Sequence, residues 1–277
     1  MKQKVEFNGA DFAVKTIAAV QAEIDRLATV VPTPDAVYTA FSGGADSTAL
    51  AILIEDADPV FTDTGWEFPQ LYEHIEKFER VTGRKVTRIK SEHPGGLPGY
   101  IRDYLFFPNH RARFCTREFK IAPFDKFMSG GGTLNVGLRA DEMERVGNHT
   151  NVYTVRYPFR EWGMVRSDIE DVCRKAGLYP SYPPFMMRGG CVGCFYKRKS
   201  EIVAMFHLAP DLYWGLVDLE EEVQDERGKY FHMFSSLDCG LREFAKRIES
   251  QMLMFDVDEL YATSVLDAAP CGLFCNR

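Results

Sequence analysis

The chain has 277 residues, of which 45% are apolar and 26% charged, and its formal net charge is −7. That length suits one large α/β domain with an appendage, and it lacks the ~20 consecutive apolar residues of a membrane span. The acidic balance excludes an overall basic coat for nucleic acid, although "RAR" at 111–113 and "KRK" at 197–199 leave room for a local basic face.

The opening residues, MKQKVEFNGADF, carry no apolar signal core, so a cytoplasmic address is expected. Residues 10–29 place apolar side chains at helical spacing. Residues 36–41 read as a short buried strand, 47–56 as a helix, and 59–68 as a second strand ending in a turn. A helix with Pro at its start and Gly at its end follows over 69–83, then a third strand at 85–90. This β-α-β-α-β order predicts a parallel twisted sheet with helices on both faces. Residues 91–112, rich in Gly, Pro and aromatics, read as a loop over the sheet edge, a candidate lid. Next come a helix at 120–129, a fourth strand at 133–140 and a fifth within 153–162. A helix at 165–177 takes Ser167 as its cap. Beyond residue 180 the alternation stops and 200–260 read as helical. The chain therefore divides into an α/β part over 1–180 and a mostly helical, cysteine-bearing part over 181–277 packed on it.

One turn stands out. In YTAFSGGADSTALAILI the first strand gives way to Ser42-Gly43-Gly44, then Asp46, Ser47 and Thr48 open a helix. Helix N-termini present unpaired N–H groups and partial positive charge, and glycines let the backbone approach an anion closely. Ser42, Ser47 and Thr48 add hydroxyl donors, so the turn reads as a phosphate cradle. It is neither GxxxxGK[ST] nor GxGxxG. Asp46 beside phosphates calls for a cation between them, and Mg²⁺ suits a carboxylate. The plainer reading is a capped turn with Asp46 favouring the helix dipole.

FSGGADST resembles the SGG-x-DS signature of the PP-loop ATP pyrophosphatases. VFTDTGWEFP, RFCTREFKIAPF, VGLRADEMERV and YPFREW follow in order. They resemble the corresponding motifs of the phosphoadenylyl-sulfate reductase branch, over roughly 36–200. The resemblance implies an adenine nucleotide across the carboxyl ends of a parallel sheet, with 1–180 as the nucleotide-binding domain. Most such enzymes cleave ATP between the α and β phosphates and adenylate an oxygen; the reductases attack a sulfonucleotide with a thiol. It also implies that Asp63 and Thr64, at the end of the second strand, and Gly137 and Arg139, in the Gly-Leu-Arg turn, meet the nucleotide. Arg139 would clamp a phosphate, against the alternative of a surface charge. Glu142 reads as a structural partner of Arg139 or Arg145. Trp66 and Phe68 either stack on adenine or pack the core.

The seven cysteines include a CxxC, Cys191 and Cys194, and Cys115 far upstream. Cluster-bearing sulfonucleotide reductases resemble this but have Cys-Cys where this chain has Cys115-Thr116. Three metal readings follow: a [4Fe–4S] cluster on Cys115, Cys191, Cys194 and a tail cysteine, foremost Cys275; a cluster on three cysteines with one open iron; or a zinc site. A plain thiol pair is the alternative. Cys271 in the tail echoes the reductase nucleophile, with Pro270 and Phe274 in place of the flanking Glu and His. Cys173 reads as core, and Cys239 as either.

Three functions are carried forward. The first is an ATP pyrophosphatase that activates an oxygen for sulfur transfer, similar to the enzymes of DNA phosphorothioation, with a cysteine desulfurase or other sulfur donor and a nucleic-acid acceptor as partners. The second is a sulfonucleotide reductase. The third is a nucleotide-binding module that works only inside a complex. A homo-oligomer is also among the expected partners.

Overall fold

The computed structural model describes residues 35–145, 152–187, 189–228 and 232–250. The helix expected over 10–29, the stretch 251–260, and Cys271 and Cys275 lie outside these.

Five strands form one sheet in the order β3-β2-β1-β4-β5, every neighbouring pair parallel. They are β1 (Val37–Ala40), β2 (Asp58–Asp63), β3 (Thr87–Lys90), β4 (Thr133–Asn135) and β5 (Thr154–Arg156). β1 is central: Thr39 pairs with Pro59 on one side and with Asn135 on the other. The chain order reverses between β1 and β4, which makes their carboxyl ends a topological switch point, the usual ligand crevice of open α/β sheets.

Alternate strand residues face opposite sides. Tyr38, Ala40, Val60 and Leu134 enter one core with Phe124 and Met128. Phe41 and Phe61 enter the larger core on the other face, with Ile75 and Phe78 of α2 (Pro69–Thr82). That larger core also takes in Ile202, Tyr213 and Phe244 of the C-terminal helices α7 (Lys199–Leu208), α8 (Pro210–Arg227) and α9 (Leu241–Ser250), so both parts of the chain share it. A third cluster joins Leu50 of α1 (Ala45–Leu53) to Ile169 and Cys173 of α6 (Arg166–Lys175).

The fold class is the one expected, and three local expectations are corrected. Residues 91–112 are not a plain loop: α3 (Gly96–Tyr104) lies within them, burying Leu97 and Ile101 one turn apart. Its Gly and Pro residues read as breakers, but Pro98 falls in the first turn, where a missing N–H costs nothing. Ser167 does not cap α6. The helix starts after Val165, and the Asp168 carboxylate accepts the Val165 N–H at 2.9 Å. The helix placed at 47–56 runs over 45–53 instead, because it begins directly off the glycine turn. Two further helices are α4 (Ala122–Phe127) and α5 (Pro158–Glu161), and Phe114–Thr116 form a single helical turn. Ahead of α4, Arg117–Ile121 form a π-helical turn. Among the described residues no single helix is long and apolar enough to cross a membrane.

Candidate functional site

The glycine turn lies at the carboxyl end of β1, at the switch point. Gly43 has φ +75°, in the left-handed region that favours glycine, and an added Cβ would run into Leu71 Cδ1 and come 3.1 Å from the Tyr182 hydroxyl. Gly44 then caps a helix of nine residues, whose first N–H groups have no partner within it. Ser47 closes the turn from inside: its Oγ accepts the Ser42 N–H at 3.0 Å, lies 3.1 Å from Ser42 Oγ and donates to Gly44 O at 3.1 Å. Thr48 is buried against α2, its Oγ1 3.0 Å from His74 Nε2. Of the three hydroxyls, those of Ser47 and Thr48 thus brace the turn.

Asp46 and Arg139 meet. Arg139 Nη1 donates to both Asp46 carboxylate oxygens, at 3.2 and 3.1 Å. The same guanidinium reaches Asp141 at 2.9 Å and Glu142 at 3.5 Å, and Glu142 in turn holds Arg145 at 2.7 Å. Arg139 is only 7% exposed, so it is no surface charge, and Glu142 pairs with both arginines. Burial holds the Asp46 carboxyl above its ordinary value, and Arg139 offsets this only in part. Burial opposes the Arg139 charge, but Asp46 and its acidic neighbours hold that guanidinium above its ordinary range. Gly137 completes the contact, since a Cβ there would sit 3.3 Å from the Asp46 backbone. Beside this pair opens a cleft of about 620 Å³, part of it open solvent, lined by Gly44, Asp46, Arg139, Arg166 and Tyr182 among others.

At the end of β2, Asp63 and Thr64, expected at the nucleotide, bond to neighbouring protein groups. Asp63 accepts from the Gly65 N–H and the Tyr72 hydroxyl, each at 2.8 Å, and pairs with Lys90 at 3.2 Å. Thr64 donates to Glu67 at 2.7 Å. Phe68 is core, with Phe185 against its ring and Lys197 Nζ 4.5 Å from its centroid. Trp66 fills the space where a Cβ on Gly193 would sit.

This same loop carries the thiols. Glu67 forms an antiparallel bridge with Cys191, and Val192 N donates to Trp66 O at 2.8 Å. The CxxC turn therefore lies on the carboxyl edge of the sheet, beyond β2, as the glycine turn lies beyond β1. Cys191 donates to Cys194, and this bond, with the Tyr196 N–H and the Lys197 and Lys120 charges, brings Cys194 down to about 6 against the pull of burial. The shared proton and burial push Cys191 up. Burial also raises Cys115, which lies within the fields of Lys120 and Cys194. The three cysteines share one neighbourhood. Even so, among the described residues no group of three or more His, Cys, Asp or Glu is placed to hold a metal ion. Cys173 and Cys239 are buried in the core.

Four participants were missed from the sequence. Lys120 lies inside the quoted RFCTREFK segment and could have been found there. His74 shares the apolar face of α2 with Leu71, Ile75 and Phe78, where a histidine is a signal. Lys197 sat in a run read as a basic face, yet it is 3% exposed and donates to Phe185 O at 2.8 Å. Tyr182, in the Pro-rich stretch after α6, left no signal.

Residues 36–166 match the model of the phosphoadenosine phosphosulfate reductase domain. That segment, a little under half of the chain, is therefore similar to the phosphoadenosine phosphosulfate reductase domain. The chain is similar to two uncharacterised proteins of Methanocaldococcus jannaschii, at 30% identity over 64% of this chain and at 22% over 78%. It spans 40% and 56% of their respective lengths. A solved phosphoadenylyl-sulfate reductase from Candida auris, in a phosphate complex, superposes with a TM-score of 0.43 at 15% identity, covering 65% of this chain and 92% of that one.

Proposed function

We propose that this chain is a nucleotide-dependent sulfur-transfer enzyme that cleaves ATP between its α and β phosphates. The observation that carries the reading is the glycine cradle at the switch point with the buried Asp46–Arg139 pair at its rim. An acceptor oxygen attacks the α phosphorus, the bond from that phosphorus to the bridging oxygen breaks, and pyrophosphate leaves with the electron pair. The oxygen then carries AMP. A sulfur nucleophile attacks the atom that bears it, and AMP departs. The cradle N–H groups hold phosphate oxygens, and Arg139 orients the Asp46 carboxylate and favours its charged form.

Asp46 offers hard oxygen donors at the cradle and so fits Mg²⁺, which when bound would offset phosphate charge. Cys115, Cys191 and Cys194 do not by themselves make a closed ligand set, so no step is routed through a cluster or zinc. Iron and zinc content after purification without air tests that expectation. The motif resemblance supports a nucleic-acid acceptor, as in DNA phosphorothioation, and a desulfurase as donor.

The Cys191–Cys194 pair on the carboxyl edge of the sheet supports a second reading, a sulfonucleotide reductase. There Cys194 would attack the sulfonate sulfur, the nucleotide would leave, and Cys191 would displace sulfite, leaving a disulfide for an external dithiol to reduce. One experiment separates the two. The full chain is given ATP and Mg²⁺ with a nucleic acid and a sulfide source, or a sulfonucleotide with a dithiol. AMP with pyrophosphate supports the first reading and sulfite the second. ADP with phosphate, or no turnover of either, refutes both.

A further inference from the structure

The phosphate turn is held from outside the segment that matches the reductase domain. Tyr182 follows that segment, and its hydroxyl donates to Gly43 O at 2.9 Å. Gly43 is the left-handed residue of the cradle, packed between Tyr182 on one side and Leu71 of α2 on the other. A glycine so placed has no side chain to fix the peptide that follows it. In a planar trans peptide the C=O and the next N–H point in opposite directions. Whatever holds Gly43 O therefore sets the direction of the Gly44 N–H, which belongs to the cap of α1. The Tyr182 ring also lies 5.9 Å from that of His74, which meets Thr48 at 3.0 Å, so one wall braces the turn at two points. Burial, with Glu67 adding to it, pushes the Tyr182 phenol well above its ordinary value, and it remains a donor throughout the working range of pH.

We infer that Tyr182 is a positioning residue of the phosphate cradle: by holding Gly43 O it aims the Gly44 N–H at the bound phosphate. This rests on the nucleotide reading above and adds to it a part for the region beyond residue 166. The role predicts a particular pattern. Tyr182→Phe keeps the ring and its packing but frees the peptide. Affinity for a non-hydrolysable ATP analogue and for inorganic pyrophosphate should fall about three- to tenfold, the span of one hydrogen bond of ordinary net strength. Affinity for adenosine, which has no phosphate, should not change, and the melting temperature should stay within about 2 °C of the parent.

Calorimetry with the three ligands on the full chain decides it. A loss confined to the two phosphate ligands supports the inference. An equal loss for adenosine, or no loss for any ligand, overturns it while leaving the nucleotide reading in place. If the parent protein binds neither the ATP analogue nor pyrophosphate, the nucleotide reading fails and takes the inference with it. A second measurement needs no variant: with ¹⁵N-glycine labelling, the Gly44 amide signal of the parent should move on pyrophosphate addition, and a fixed signal overturns the assignment.

Discussion

The cradle and the thiol turn occupy one edge of the same sheet but are made of different material. The cradle is backbone: a left-handed glycine, a helix cap and side chains turned back to brace them. The thiol turn is side chain and charge. Cys191 and Cys194 come from one tight turn, Cys115 and Lys120 from the segment ahead of α4, and Glu67 from the loop after β2. A backbone site depends on the space a Cβ would need and tolerates exchange of its outward side chains. A side-chain site depends on charges brought together from distant segments, and losing one of them retunes the rest.

The largest effect should follow from breaking the backbone site. Gly43→Val adds a β-branched side chain where φ is +75° and where Leu71 and Tyr182 already stand. Binding of a non-hydrolysable ATP analogue should drop by at least about 100-fold, since strain of a few kcal/mol falls on the bound geometry. Titration calorimetry checks this, and unchanged affinity would show the turn to be only a turn. Asp46→Asn should come next. It keeps the shape but removes the charge, and Arg139 still has Asp141 and Glu142, so the fold should survive. Pyrophosphate release should fall by about 100-fold or more, the scale of a lost metal or phosphate clamp. Full turnover by this variant would remove Asp46 from the site.

The same contrast explains what could be read from the sequence. FSGGADST announced its glycine turn because a turn, a cap and a strand are local matters, and the β-α alternation then placed that turn at the sheet's carboxyl edge. Helix α2, with Pro69 at its start and Gly83 at φ +70° after its end, was legible for the same reason. Helix α3 was not, because Gly95, Gly96 and Pro98 imitate loop chemistry and only the burial of Leu97 and Ile101 on the core reveals the helix. The CxxC itself was plain, but its charges were not: Lys197 looked like part of a solvated basic run and is buried. The pairing of Asp46 with Arg139 joins the first turn of α1 to the turn after β4, and no spacing rule announces it.

A smaller effect sharpens the thiol half of the comparison. In metal-free protein Cys194 should react with iodoacetamide with a midpoint near pH 6, because the Cys191 hydrogen bond and nearby lysines favour the thiolate. Cys191→Ser, a poorer match for the sulfur, should move that midpoint upward. Mass spectrometry of the alkylated peptide across pH 5 to 9 measures it. A midpoint left unmoved would mean that the lysines, and not the neighbouring thiol, set the charge.

The smallest effect lies behind the cradle, at His74. Burial, with Lys77 adding to it, lowers this histidine to about 4, and its ring is 7% exposed against Thr48. The unfolded chain binds the proton at its ordinary value of about 6.5. Between these two values the unfolded state holds more protons, so stability is complete above 6.5 and is lost as pH falls toward 4. The loss should reach about 2 kcal/mol by pH 5, at roughly 1.4 kcal/mol per unit. Burial raises Asp46, Glu67 and Glu220, and raised carboxyls act in the opposite direction, so the total curve mixes the two. The difference between the parent and His74→Gln isolates the histidine, because glutamine can still meet Thr48 and does not titrate. Urea melts at pH 7, 6 and 5 should bring the two proteins closer together in stability as pH falls. Parallel curves would mean that His74 takes up its proton in the folded state as readily as in the unfolded one, and that the wall behind the cradle is wetter than its packing implies.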